Sequence, residues 1–141
     1  MEKMTTIVIG DDMFRAEWQD ALAPKTCARF RELLPWTRQM VHVRWSGEAC
    51  WIPLGDFQSD IGYENPTSHP RPGEILFYPG GISEAEVLMA YGAVTFGSKA
   101  GQLAGNPFLR IVDGLDRLAE IGRDILWTGA KRVTITDLDR R

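Results

Sequence analysis

Arg44, Glu48, Trp51, Tyr91 and Lys99 are the residues whose types and spacing suit work on a small organic molecule. His42 and Arg44 stand two apart in an alternating stretch, so on a strand their side chains share one face about 7 Å apart. A guanidinium grips a carboxylate through two parallel hydrogen bonds, which makes Arg44 a candidate anion anchor. The alternative is an exposed strand face with ordinary ion pairs. Glu48 follows Gly47 in a turn signal. Partly buried, it would have its pKa raised toward neutrality and could act as a general acid or base; a solvated turn carboxylate is the plainer reading. Trp51 would wall a pocket or fill core, and Tyr91 would be a wall residue with a polar tip or a half-buried barrel position.

Lys99 lies in a glycine-rich stretch with Gly92, Gly97, Gly101 and Gly105. Such backbone can approach a ligand or another strand closely, and its N–H groups can face an anion. Lys99 would add a cation there, or form an imine with a carbonyl substrate if its pKa were depressed; a solvated lysine is the alternative. The stretch is not a phosphate loop, because Ser98 precedes Lys99 and further glycines follow. No Gly-x-Ser-x-Gly elbow surrounds a serine. His42 and His69 have no third ligand at recognisable spacing, so no metal is expected.

The elements that would position these residues are mostly short strands. Thr5–Ile9 and Met13–Trp18 alternate around Gly10-Asp11-Asp12 and read as a hairpin. Cys27, Phe30 and Leu34 fall at helical spacing after Pro24 and before Pro35, which predicts a helix over 24–34. Val41, Val43 and Trp45 alternate with His42 and Arg44; the apolar set is assigned to the core, which turns His42 and Arg44 outward or into a cleft. Residues 49–52 read as the return strand. Residues 53–73, with four prolines, read as a long irregular loop. Strands follow at 74–78, 86–91 and 108–112. Leu115, Leu118, Ala119, Gly122, Ile125 and Leu126 form one stripe of a second helix over 114–126, with Asp113 as its N-cap, and 132–136 closes as a strand. Many short strands with two short helices predict a mainly β fold, a closed barrel capped by helices.

Ala23-Pro24-Lys25-Thr26 with Phe30 and Leu33, placed after a hairpin, resembles the opening of the first helix in cyclophilins. Longer strings resemble a bacterial family of uncharacterised small proteins with a cyclophilin-like fold. They are Arg44-Trp45-Ser46-Gly47-Glu48, the run from Pro72 to Gly81, Tyr91-Gly92, and the run from Phe96 to Asn106. Cucumopine and mikimopine synthases are similar to that family. They condense histidine with a 2-oxo acid and close a ring without a cofactor. The resemblance implies a cyclophilin-like barrel and a chemistry of amino or 2-oxo acids, since a fold by itself fixes no function. Arg44 matches the arginine of cyclophilins by position, but no Phe-Met-x-Gln follows it and neither histidine lies late in the chain. Prolyl isomerisation is therefore not expected.

The 141 residues fit a single domain spanning 1–141. Charges of both signs are scattered, with a net of −3 and no basic stripe, so nucleic acid is not an expected partner. Apolar runs are too short and broken for a membrane span, and the N-terminus lacks the pattern of a secretion signal. Cys27 and Cys50 stand far apart and read as reduced core residues, which makes the cytoplasm the expected location. The expected ligand is a small carboxylate-bearing metabolite, handled by a cofactor-independent condensing or lyase-type enzyme. A non-catalytic ligand sensor or assembly subunit is the alternative, and homo-oligomerisation is left open.

Overall fold

A computed structural model describes residues 3–137. Strands β1 (Met4–Ile9) and β2 (Asp12–Trp18) form the expected hairpin, with Ile9 opposite Asp12 across a turn in which Gly10 has φ +60°. Helix α1 (Pro24–Leu33) follows, then β3 (Trp36–His42), β4 (Gly47–Gly55), β5 (Glu74–Tyr78) and β6 (Ala85–Val94). A small hairpin of β7 (Gly97–Ser98) and β8 (Gly101–Gln102) leads into β9 (Asn106–Asp113). Helix α2 (Leu115–Thr128) and β10 (Lys131–Thr136) complete the fold. Eight strands close an antiparallel barrel in the order β1-β10-β3-β4-β6-β5-β9-β2. No helix among the described residues is long and apolar enough to cross a membrane.

Two apolar clusters occupy opposite sides of part of this wall. The larger lies inside the barrel and draws on every barrel strand, with Phe30 of α1 packed on Trp36, Phe77 and Phe108. The smaller lies outside: Ala49, Leu76, Tyr78 and Leu88 are covered by Phe96 and Leu103 from the segment that crosses this face. Strand alternation divides the two. In β5, Ile75 and Phe77 point in, while Leu76 and Tyr78 point out.

Asp113 does not cap α2. The N-cap is Gly114, in the left-handed region, and no side chain bonds to the first turn. Helix α1 likewise lacks a cap of its own at Ala23. Glu64, from the long loop, supplies one from a distance: its carboxylate accepts the N–H of Lys25 (3.0 Å), the N–H of Thr26 (2.9 Å) and the Thr26 hydroxyl (2.7 Å). Fully buried Asn106 holds the loop in place by accepting the Glu64 N–H and donating to Gly62 O and Thr26 Oγ1. Burial alone would push the Glu64 carboxyl up, yet the N–H groups and hydroxyl at the helix N-terminus hold it below its ordinary value. Glu64→Ala should cost about 1–2 kcal/mol in urea unfolding at pH 7. Because the folded pKa is depressed, that contribution is present above pH 4.5 and is lost as pH falls through the folded value.

Candidate functional site

A cavity of about 520 Å³ opens on the outer face of the barrel, over β3, β4 and β6. Its walls include Val41, Val43 and Trp51, and its mouth carries Arg44, Trp45, Ile82, Lys99 and Ala100. The register explains the grouping. Val41 pairs with Trp51 and Trp51 with Leu88, so these side chains share the outer face. Glu86 lies on that face two residues before Leu88, opposite Pro53 on one side and Tyr78 on the other. The β7–β8 hairpin brings Lys99 to the rim and is fixed at its base by Ser46. The Ser46 hydroxyl donates to Gly97 O (3.1 Å) and accepts the Gly97 N–H (3.0 Å).

Three of the residues selected from sequence, Arg44, Trp51 and Lys99, therefore line one cavity. Arg44 and Lys99 are exposed at its mouth, and neither makes an ion pair among the described residues. The Arg44 guanidinium lies over the Trp45 ring, 5.7 Å from its centroid.

The expected strand phase is reversed. Trp45 is 55% exposed rather than core, and Val41 and Val43 are half-buried on the outer face. His42 turns inward instead. Its Nδ1 donates to the Val43 carbonyl, which only accepts, at 2.9 Å, and its Nε2 is hydrogen-bonded to the Tyr91 hydroxyl at 2.7 Å. β3 ends at His42, so its alternation does not extend to Arg44.

Tyr91 and Glu48 sit elsewhere. Tyr91 is buried in the barrel interior under α2, and burial pushes its phenol up. Glu48 is exposed at an irregularity in the β4–β6 pairing, where its carboxylate accepts the Ala93 N–H at 2.8 Å. A Cβ at Gly92 would overlap the Glu48 side chain, which would have to leave this position. Two of the N–H groups in the glycine-rich stretch are engaged within the protein: Gly97 donates to the Ser46 hydroxyl and Gly105 to Thr67 O. Cys27 and Cys50 are free and buried, and burial pushes both thiols up to about 12. Among the described residues no three His, Cys, Asp or Glu side chains could together hold a metal ion.

Glu86 is the site residue that sequence reasoning missed. It lines the cavity yet is only 6% exposed. Among the described residues no hydrogen bond or ion pair reaches its carboxyl. Burial, helped by the negative charge of Glu84, pushes its pKa up to about 8. The neighbouring Tyr78 hydroxyl already accepts the N–H groups of Ile82 (3.0 Å) and Ser83 (3.2 Å).

Residues 5–137 match the family described as protein of unknown function DUF3830. The chain belongs to that family. A search of curated proteins gives no match. Among solved structures, McbB in complex with tryptophan is similar over 97% of this chain, with TM-score 0.71 and 16% identity. The similar region is 45% of McbB, so this chain spans less than half of that protein. The hypothetical protein AF2241 from Archaeoglobus fulgidus matches at TM-score 0.57 and 14% identity, covering 96% of this chain and 95% of its own. A cyclophilin-type peptidyl-prolyl cis-trans isomerase from Cryptosporidium parvum also matches at TM-score 0.57, with 12% identity over 96% of this chain and 94% of its own. These likenesses establish the fold, a closed barrel with cyclophilin-like neighbours, as the sequence predicted.

Proposed function

We propose that this protein binds a small carboxylate-bearing metabolite in the outer-face cavity, with Arg44 as anchor, Lys99 adding positive potential and Trp51 as wall. The observation that carries this reading is the meeting of two cations, without ion-pair partners among the described residues, at the mouth of one largely apolar-walled cavity. Its volume of about 520 Å³ suits a small organic ligand. McbB supports the reading as a structural neighbour solved with tryptophan, itself a carboxylate. The reading is one of binding rather than prolyl isomerisation. Glu48, the sequence candidate for proton transfer, is engaged with Ala93 outside the cavity. A cavity carboxyl such as Glu86 is the better group for that task.

Calorimetry with a panel of free amino acids and 2-oxo acids tests the anchor. Arg44→Ala should weaken the tightest carboxylate ligand by about 2–3 kcal/mol, roughly a hundredfold. Lys99→Ala should weaken it less, because an ammonium acts as a point charge where a guanidinium makes two parallel hydrogen bonds to a carboxylate. Unchanged affinity in both variants for every ligand found would refute the assignment.

A further inference from the structure

Two sets of charged groups line this cavity, and the carboxylate reading uses only one. At the mouth are the exposed Arg44 and Lys99; buried on the wall is Glu86, a carboxyl that no hydrogen bond or ion pair reaches among the described residues. Buried carboxylates are stable when a cation or several hydrogen bonds meet them. Here β4 offers Trp51 and Pro53, which carry no charge, and β5 offers Tyr78, whose hydroxyl lies against the N–H groups of Ile82 and Ser83 and makes no hydrogen bond to Glu86 among the described residues. Glu84, from the approach to β6, adds only repulsion. His42, the remaining titratable group of β3 here, is committed to Tyr91 and Val43. Glu86 is therefore a cavity carboxyl that a cationic group of the ligand can pair.

We propose that the ligand of this cavity carries a protonated amine beside its carboxylate, and that Glu86 receives the amine. The inference rests on the carboxylate reading above and narrows it to amino-carboxylates over the corresponding oxo or plain acids. Proton balance follows directly. The empty cavity holds Glu86 largely as the neutral acid at pH 7, because its pKa is about 8. An incoming ammonium pairs with the carboxylate form, so Glu86 loses its proton to solvent and the amine keeps its own. Binding thus releases close to one proton, and affinity for the amine rises with pH, by up to about tenfold per unit, until Glu86 is ionised in the free protein.

Matched ligands separate this inference from the reading beneath it. Phenylalanine and 3-phenylpropanoate differ only by the amine, as do leucine and 4-methylpentanoate. Calorimetry between pH 6 and 8, in phosphate and in Tris, reads affinity and proton release together. The expected result is tighter binding of the amino member, by tenfold or more at pH 8, with a buffer-dependent proton release close to one at pH 7 that falls to about half a proton at pH 8. Glu86→Gln should abolish both the preference and the release while keeping 3-phenylpropanoate affinity. Equal or tighter binding of the amine-free member would overturn the role of Glu86 and leave the Arg44 anchor standing. Failure of both members of both pairs to bind would overturn the anchor as well.

Discussion

Glu86→Gln should stabilise the folded protein at pH 7 by about 3 kcal/mol, with no gain at pH 4. In the empty cavity the Glu86 carboxyl is pushed from an ordinary 4.5 up to about 8 by burial and by Glu84. The folded state therefore keeps a proton that the unfolded chain has released throughout that window. Stability falls as pH rises from 4.5 to 8 and is level on either side. Each pKa unit is worth about 1.4 kcal/mol, and glutamine keeps the size of the side chain without the ionisation, so the difference between variant and wild type grows across the window. Urea unfolding of both proteins at pH 4, 6, 7 and 8.5 measures it. A variant less stable than wild type above pH 6 would show that the carboxyl has a partner in the folded protein.

The second large effect concerns the seat of α2. A Cβ on Gly122 would lie 2.6 Å from Tyr91 Cγ, deep inside contact distance. The ring cannot swing aside cheaply, since it is buried and its hydroxyl is hydrogen-bonded to His42. Gly122→Ala should therefore lift α2 from β3, β4 and β6, against which it packs, at a cost of about 3 kcal/mol. The same change in a Tyr91→Leu background removes the planar obstacle, and the added cost there should fall below about 1 kcal/mol, the signature of two residues in direct contact. Equal costs in both backgrounds would place the strain elsewhere.

How far the sequence reveals the site depends on which side of the barrel wall a residue faces. The hairpin, both helices and the strand at 74–78 follow from turn residues, proline limits and periodicity that hold locally. The wall of β3, β4 and β6 is different, because apolar residues line both of its sides: Met40, Cys50 and Val87 within, Val41, Trp51 and Leu88 without. A period of two marks both faces there and says nothing about which is interior. That is why Val41 and Val43 read as core and Tyr91 as a cavity wall. Glu86 was hidden for a related reason. Beside Glu84 it reads as the solvated start of a strand, and its burial comes from tertiary cover that lies far off in sequence. Parity offered the available clue: once Trp51 is given to the ligand face, its partner Leu88 and then Glu86 must share it.

Barrel closure through β10 bears on the order of events in folding. On one side β1 pairs only with β10, and β3 reaches β1 only through it. Thr6 meets Thr136 across this seam, one of the longest sequence separations the described chain contains. Until β10 arrives, β1 and β3 each present an unsatisfied row of amides and carbonyls, the kind of edge that recruits other chains. On a ribosome that interval lasts until residue 136 has cleared the exit tunnel. Its hazard is met by composition: Arg38 and Gln39 of β3 are exposed polar residues flanking that edge, side chains that discourage strand addition from outside.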